Sequence, residues 1–322
     1  MKSYNLEIVK RNMLMTTELV KIMRLLKESD IEAIAFKGPT LSQSAYNDIT
    51  LRQYSDLDIL ININDIKKVY KLLLSNDYTT EVEDKFLDNE LFIETTSDIQ
   101  FFHTKKNLLI EIHWKLFRNQ FSNKLNHKEI WLNKQKVQIY NNYLNVFSNE
   151  ILLIYLCMHG SKHKWERIEW IVDIDKTINQ NPNLNWNYII EQSILLESYT
   201  MLYLGLYLTN KLFNTPLSNK LDKVKLNSKL NIKLSKSIMS SFIILTENKT
   251  EIDKNLSTFK FHYALNSTLI QKIRFLIKRL FPIMNGDIMQ INLPKRLFFL
   301  YYIIKPIRLL VKYVQKPFSL KS

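Results

Sequence analysis

The spacing of apolar residues separates a mixed first half of the chain from a helical second half. Between Ser3 and Lys27 apolar side chains recur at helical spacing, which predicts an amphipathic helix. The shorter runs Ile31–Phe36 and Leu108–Trp114 are rich in apolar residues and are predicted to be buried strands. From Ser148 onward helical spacing returns, so the second half is predicted to consist of helices.

The predicted elements give an α+β protein. The first half has helices at Ser3–Lys27, about Thr40–Tyr46 and Ile66–Leu74 (with Asp65 as N-cap), and strands at Ile31–Phe36, Ser55–Asn62, Tyr78–Val82, Leu91–Thr96, Ile99–His103, Leu108–Trp114 and Val137–Tyr140. The second half has helices at Ile151–His163 (with Ser148 as N-cap), Trp165–Ile178, Asn185–Glu197, Tyr199–Phe213, Leu217–Leu234, Ile238–Leu245, Tyr263–Phe281 and Leu297–Tyr313. We therefore expect a small mixed β-sheet with flanking helices in residues 1–145 and an all-α domain in residues 146–322.

Two carboxylates share one face of the predicted strand Ser55–Asn62. Side chains alternate across a strand, so Asp56 and Asp58 leave by one face while Leu57 and Ile59 leave by the other. Adjacent like charges repel and raise one pKa unless a cation lies between them. A divalent cation with oxygen ligands is the usual solution, and Mg²⁺ suits a site that also holds phosphates. Removing either carboxylate is therefore expected to leave stability level or higher in the absence of metal.

A Gly-Pro pair precedes this strand, where a predicted strand turns into a predicted helix. Proline at position 39 suits the first helical turn, and Gly38 lets the backbone approach a ligand closely. The free N–H groups at a helix N-terminus bind phosphate, and Lys37 adds a positive charge beside them. Arg52, on the following loop, either neutralises a phosphate or forms a salt bridge with Asp48.

Further polar side chains interrupt apolar elements. Glu111 lies inside the strand Leu108–Trp114 on the same face as His113, and a charge in so apolar a strand needs a partner. Its partner is expected to be a lysine or arginine at a strand end, unless Glu111 has another role. His159 and His163 are four residues apart and therefore share a helix face. Three interpretations are open: the pair binds zinc, faces a cleft and contacts its ligand, or forms a local structural pair.

These motifs together resemble a known family. The order of glycine turn, helix and Asp-x-Asp strand resembles the nucleotidyltransferase fold of the DNA polymerase beta superfamily. Lys-Gly-Pro-x-Leu, Ser-Asp-x-Asp-Ile-Leu and the segment His159–Trp165 resemble the uncharacterised bacterial nucleotidyltransferase family. The superfamily usually has Gly-Ser at the turn. Here proline follows Gly38, and Lys37, Thr40 or Ser42 is expected to replace the serine contact to the terminal phosphate.

The resemblance implies Mg²⁺-dependent transfer of a nucleoside monophosphate from a nucleoside triphosphate (NTP) to an acceptor, in a cleft between the two domains. It implies that the catalytic carboxylates, which also hold the metal, are Asp56, Asp58 and Glu111, with Mn²⁺ as the alternative ion. The nucleotide-binding residues that it implies are Lys37, Gly38, Thr40, Arg52, Ser55 and His159. The acceptor is a small molecule, a peptide, a protein or RNA. The alternative function is a catalytically degenerate member that binds RNA or another anionic partner.

Positive charge is concentrated in the last third of the 322 residues. The whole chain has a formal net charge of +14, whereas residues 201–322 alone carry 21 Lys and Arg against 5 Asp and Glu. An acidic partner is therefore expected for this third. For the stretch Arg296–Tyr313, packing on the helical domain is favoured over an acidic acceptor or peripheral contact with an anionic membrane.

The sequence also predicts a cytoplasmic protein. Cys157 is the single cysteine, which excludes an intramolecular disulfide and suits a reducing compartment. The start of the chain does not combine a basic segment, an apolar core and a small-residue cleavage site, so a signal peptide is not expected. Apolar runs fall short of the roughly 18 residues that span a bilayer.

Overall fold

The computed structural model describes residues 2–116, 127–243 and 251–280, together with 288, 291, 293, 295–301 and 304. The helices are α1 (Lys2–Glu28), α2 (Gly38–Tyr46), α3 (Ile66–Leu74), α4 (Glu90–Thr95), α5 (His127–Leu132), α6 (Asn149–Lys162), α7 (Glu169–Gln180), α8 (Trp186–Leu195), α9 (Tyr199–Phe213), α10 (Lys223–Leu226), α11 (Lys229–Ile243), α12 (Glu251–Leu265) and α13 (Leu269–Leu280). The strands are β1 (Ala33–Ala35), β2 (Asp56–Ile61), β3 (Asp98–His103), β4 (Leu108–His113), β5 (Gln135–Ile139) and β6 (Asn142–Val146). None of the described helices is long and apolar enough to cross a membrane.

The first half forms the small mixed sheet that the sequence predicts. Its four strands lie in the order β1-β2-β4-β3. The outer pairs β1–β2 and β3–β4 are antiparallel, whereas the central pair β2–β4 is parallel. The connection between the two parallel strands runs through α3, α4 and β3. A separate antiparallel hairpin, β5–β6, follows the sheet. The fold is therefore α+β, with the helical half following the sheet.

The two faces of β2 enter different hydrophobic clusters. Leu57, Ile59 and Ile61 are fully buried in a cluster that also contains residues of α1 and α3. Leu60, on the opposite face, belongs to a second cluster built mainly from α6 to α9. Asp56 and Asp58 share the face of Leu60 because side chains alternate along the strand. The carboxylate face of the sheet is therefore turned toward the helical half.

The C-terminal region returns to the sheet. Ile288 and Tyr301 are buried in the same cluster as the apolar face of β2. The Tyr301 hydroxyl donates to the carbonyl oxygen of Ile291 and accepts from the backbone N–H of Leu293. The described residues of this region therefore pack on the first half, whereas the sequence prediction favoured packing on the helical domain. The predicted helix Leu297–Tyr313 lies largely outside the described residues, and its first residues belong to a 3-10 helix, Lys295–Leu300.

Two predicted strands of the first half were wrong. The segment predicted as strand Leu91–Thr96 is helix α4, which begins because the Asn89 side chain accepts from the backbone N–H of Phe92. This Asn cap satisfies a free N–H of the first turn, which an apolar pattern alone does not reveal. The segment Tyr78–Val82 makes only an isolated bridge, between Thr79 and Phe102.

The sequence prediction missed a strand and a helix in the segment that connects the two halves. Strand β6 pairs with β5 through a tight turn in which Tyr140 has a φ of 51°. Such turns usually contain Asn or Gly at positive φ, so a tyrosine at this position concealed the hairpin. The short helix α5 also precedes β5, in a stretch that carried no prediction.

Several predicted helices of the second half have different boundaries. Helix α7 begins at Glu169 rather than Trp165, because Lys164 and Trp165 have φ values of 54° and 58°, which a right-handed helix does not contain. Helix α11 runs through the predicted break after Leu234. Helix α12 occupies a stretch that the prediction left largely without structure. The predicted helix Tyr199–Phe213 and the Ser148 cap of α6 are confirmed.

Candidate active site

The centre of the candidate site is a pair of carboxylates on the two parallel strands. In the β2–β4 register Asp58 lies directly opposite Glu111, so their side chains leave by the same face. His113 Nε2 lies 3.2 Å from Asp58 Oδ1 and 3.4 Å from Glu111 Oε2. A ligand atom from each of these three side chains lies within 4.8 Å of the other two. The sheet thus brings two carboxylates and one imidazole together at one point.

Asp58 is almost fully buried, and two cations contact one of its carboxylate oxygens. Lys37 Nζ lies 2.8 Å from Asp58 Oδ1, the same oxygen that His113 contacts. Burial alone would raise the pKa of Asp58, but Lys37 and His113 hold it well below its usual range. The other oxygen, Oδ2, is buried and has no hydrogen-bond partner in the described part of the chain. A buried carboxylate oxygen without a partner is suited to binding a metal ion.

The side chains of Lys37 and His113 are both positively charged at neutral pH. Burial by itself would lower the pKa of His113, but its hydrogen bonds to Asp58 and Glu111 raise it to about 9. Burial would likewise lower the pKa of Lys37, and the nearby charge of Asp58 raises it above its ordinary value. The described site therefore contains carboxylates that are partly neutralised by the protein's own cations.

Asp56 has a different environment from Asp58. It is half-buried, whereas Asp58 is buried. The pKa of Asp56 is raised by burial and by the charge of Asp58, which Lys37 only partly offsets. The compact group around His113 does not include Asp56. The repulsion that the sequence predicts between the two carboxylates therefore raises the pKa of Asp56, whereas Lys37 and His113 hold the pKa of Asp58 down.

The turn before α2 approaches the start of β2 closely. Gly38 has a φ of 54°, and a Cβ there would lie 3.3 Å from the carbonyl oxygen of Asp56. Thr40 is buried, and its hydroxyl donates to the carbonyl oxygen of Lys37 at 2.8 Å. The buried Ser42 hydroxyl donates to a loop carbonyl oxygen at 2.6 Å. The Thr40 hydroxyl therefore stabilises the turn, whereas the Ser42 hydroxyl ties α2 to the loop that follows it. Lys37 is the group of this turn whose charge faces the carboxylates.

Arg52 has a different partner from the one that the sequence offered. Its Nε donates to both carboxylate oxygens of Asp173, at 2.9 and 3.1 Å. The Tyr46 hydroxyl donates to the same carboxylate at 2.8 Å. Asp48, the predicted salt-bridge partner, instead accepts from the backbone N–H and hydroxyl of Thr50. Because Asp173 lies on α7 and is fully buried, this network ties the loop before β2 to the helical half.

Four rings form a cluster on the helical side of the site. The ring centroids of Tyr155 and His159, both on α6, are 5.9 Å apart. Those of His159 and His163, the residue after α6, are 4.8 Å apart. The Trp170 ring lies 5.2 Å from His159 and 5.3 Å from His163. We call these residues the ring cluster. Tyr155 also packs against Phe36, whose ring contacts His113, so the ring cluster adjoins the carboxylates.

The two histidines of the ring cluster are neutral. Burial and the charge of Lys37 lower the pKa of His159 well below its ordinary value. Burial and the charges of Lys162 and Lys37 lower the pKa of His163 to about 4. Neither histidine belongs to a group of three metal-ligating side chains among the described residues, so the zinc alternative gains no support.

The predicted site residues did not include three residues that complete the site, His113, Tyr46 and Asp173. The alternation of side chains along the strand did predict that His113 shares a face with Glu111. The sequence could not pair Asp173 with Arg52 and Tyr46, because these residues meet only through packing of α7 on α2. Ser55, a predicted nucleotide-binding residue, lies exposed on the loop just before β2.

Comparison with known proteins gives one family match. A family model described as an uncharacterised nucleotidyltransferase matches residues 1–214. No curated protein matches the chain. Among solved structures, that of the antibiotic-resistance factor ANT(2'')-Ia is similar, with 10% sequence identity, a TM-score of 0.39, and coverage of 61% of this chain and 96% of that chain. A structural likeness this weak carries no argument about the present chain.

Proposed function

The chain belongs to the uncharacterised nucleotidyltransferase family, and from this premise we propose that it transfers a nucleoside monophosphate from an NTP to an acceptor at the carboxylate face of β2 and β4. The observation that carries the proposal is the pairing of Asp58 with Glu111 across the parallel strands, together with the buried, unpartnered Oδ2 of Asp58. Such an arrangement is costly in a protein that binds no cation there, because the oxygen loses its hydration without gaining a partner.

The donor set fits a divalent cation. Asp56, Asp58 and Glu111 would hold it. Their three negative charges outnumber the two positive charges of Lys37 and His113, so a net negative charge remains for the ion. Oxygen ligands suit Mg²⁺, and Mn²⁺ is the second candidate because it binds the same kind of ligand. When bound, the ion supplies neutralising charge for the attacked phosphate and the departing pyrophosphate. The lowered pKa of Glu111, caused mainly by its hydrogen bond with His113, favours a role in holding the metal over a role as proton acceptor.

The turn before α2 is proposed to hold the phosphates. The Lys37 ammonium lies beside the carboxylates, where it would bind the terminal phosphates of the NTP. Gly38 allows the backbone to approach them, and the N–H groups of the first turn of α2 point out of the helix end. Thr40 acts by fixing the carbonyl of Lys37 rather than by a direct contact. Arg52, held by Asp173, adds positive charge, and Ser55 lies at the exposed edge of the site.

The ring cluster is proposed to hold the nucleobase. His159 lies near enough to Lys37 for the charge of that lysine to lower its pKa. Neutral imidazole and indole rings offer flat, apolar surfaces on which a base can stack. His159, His163 and Trp170 are each partly exposed, so a surface remains for a ligand. On this proposal residues 1–145 bind the phosphates and metal, residues 146–322 bind the base, and the acceptor enters the cleft between them.

Incubation of the full chain with each α-labelled NTP, Mg²⁺ or Mn²⁺ and a cell extract tests the proposal. Label is expected to appear on an acceptor with the wild type and to be strongly reduced in Asp56→Asn and Glu111→Gln variants. Glu83→Gln is the matched control, because Glu83 is an exposed carboxylate of the same half that pairs with Lys85. Binding of RNA without transfer from any NTP would instead favour the degenerate, non-catalytic alternative.

A further inference from the structure

Helix α13 presents a row of aliphatic side chains to solvent. Leu269 is 72% exposed, Ile270 69%, Ile273 48% and Ile277 57%. At the angular spacing of an α-helix these four side chains fall within one arc of about 100°. Single exposed apolar residues are ordinary, but a contiguous row marks a surface that interacts with something apolar.

The remaining sides of α13 are already in contact with the protein. The Phe275 ring lies 5.7 Å from that of Phe259 and 6.4 Å from that of Tyr263, both on α12. Arg274 forms a salt bridge of 2.7 Å with Glu197, which follows α8. The aromatic and charged sides of α13 therefore dock the helix on the fold. Its aliphatic side faces outward, the reverse of an ordinary surface helix.

The charges around this row favour an anionic surface. The sequence of α13 contains Lys272, Arg274, Lys278 and Arg279 and no acidic residue. Because Arg274 is paired with Glu197, the net positive charge of the helix comes from Lys272, Lys278 and Arg279. Lys272 lies beside the aliphatic arc, where a long basic side chain can reach past apolar groups to polar ones. Helices with one apolar face and a basic remainder lie in the boundary between lipid headgroups and acyl chains, and each basic residue adds attraction to anionic lipid.

Two other occupants of this face, the C-terminal residues of the same chain and a second copy of the chain, are disfavoured by their positive charge. Residues 305–322 of the same chain carry five Lys and Arg and no Asp or Glu, so they would bring like charge to α13. A second copy docked through the same face would oppose two basic helices. An anionic lipid surface instead offers apolar volume and opposite charge together.

We propose that α13 is a peripheral membrane-binding helix that lies flat on an anionic lipid surface, with Leu269, Ile270, Ile273 and Ile277 inserted among the upper acyl chains. The helix would lie on the membrane rather than span it, because it is far too short to cross. This inference is independent of the nucleotidyltransferase chemistry, and it concerns a segment distinct from Arg296–Tyr313.

Co-sedimentation of the full chain with vesicles tests this proposal. Wild type is expected to bind vesicles of phosphatidylcholine mixed with phosphatidylglycerol and not vesicles of phosphatidylcholine alone. The double variant Ile273→Ser, Ile277→Ser should reduce binding by about tenfold or more, because it removes buried methylene and methyl groups from the lipid contact. The matched control is Ile194→Ser, Leu195→Ser on α8, whose side chains are 58% and 59% exposed, and it should bind as wild type.

Three results would overturn the proposal. Equal sedimentation with both kinds of vesicle, or with neither, would show that the helix does not recognise anionic lipid. A wild-type dimer that dissociates in the α13 variant, measured by light scattering, would assign the face to a second copy. A lower melting temperature in the α13 variant but not in the α8 variant, without vesicle binding by wild type, would assign the face to the chain's own C-terminal residues.

Discussion

Asp56 and Asp58 lie two residues apart on one face of β2, yet their pKa values are shifted in opposite directions. The carboxylate of Asp58 is paired with Lys37 and His113, and its charge in turn raises the pKa of Asp56. The ion pairs stabilise the ionised form of Asp58 in the folded state, whereas burial and repulsion disfavour the ionised form of Asp56. The two positions should therefore respond differently to loss of charge.

Asp58→Asn should destabilise the protein, and Asp56→Asn should stabilise it at neutral pH. The first change leaves the Lys37 ammonium buried without its counter-charge, which costs about 3–5 kcal/mol. The second removes a carboxylate whose folded pKa is raised above its ordinary value, so the ionised form no longer opposes folding. Urea unfolding without divalent ions measures both effects, and equal changes in the two variants would contradict the assigned environments.

Divalent metal should stabilise the wild type through these carboxylates. Mg²⁺ or Mn²⁺ is expected to raise the melting temperature of the wild type, since an ion that binds only the folded chain stabilises it. The increase should be lost in Asp58→Asn and reduced in Glu111→Gln, and it should persist in the surface variant Glu83→Gln. A thermal scan with and without metal provides the measurement. An equal increase in all four proteins would show that the ion binds elsewhere.

The salt bridge between Arg52 and Asp173 should couple the two halves energetically. Arg52→Met and Asp173→Asn should each destabilise by about 3–5 kcal/mol, because each leaves a buried charge unpaired. The double variant should cost less than the sum, with a coupling energy of about 0.5–3 kcal/mol. The exposed pair Arg167 and Glu169 is the matched control. Its coupling is expected to stay below about 1 kcal/mol, and similar coupling at both pairs would refute the inference.

Gly160→Ala should be strongly destabilising although alanine favours helices. A Cβ at Gly160 would overlap the indole ring of Trp165, which is fully buried against α6. Overpacking of this kind costs about 1–3 kcal/mol. Ser161→Ala is the control at the next position, because its buried hydroxyl has no hydrogen-bond partner in the described structure and none is lost. Chemical unfolding should separate the two variants, and a neutral Gly160→Ala would show that the Trp165 ring moves aside without cost.

Protonation of His163 should lower the stability of the protein in mild acid. Burial and nearby lysines lower its folded pKa from 6.5 to about 4. Between these two pH values the unfolded chain binds a proton that the folded chain does not, so the free energy of unfolding falls as the pH falls. His163→Phe keeps a ring against Trp170 and should flatten this slope. An unchanged slope in the variant would assign the acid sensitivity to other groups.

The local pattern of the sequence determined the elements on which the site is built. Alternation along the Asp56 strand predicted which side chains meet the core, and the same alternation placed Glu111 beside His113. The Gly-Pro turn predicted the start of α2 next to Lys37. These features depend on neighbours within a few residues of the chain, so periodicity and turn chemistry are sufficient to reveal them.

Only the tertiary structure decided which charges meet. Parallel pairing of β2 with β4 puts Asp58 opposite Glu111, and packing of α7 on α2 gives Arg52 the carboxylate of Asp173. It also separates the environments of Asp56 and Asp58, which the sequence treats as equivalent. Strand register and helix packing bring together residues that are distant along the chain. The pKa of a buried group depends on those neighbours, because in a low-dielectric interior each nearby charge counts.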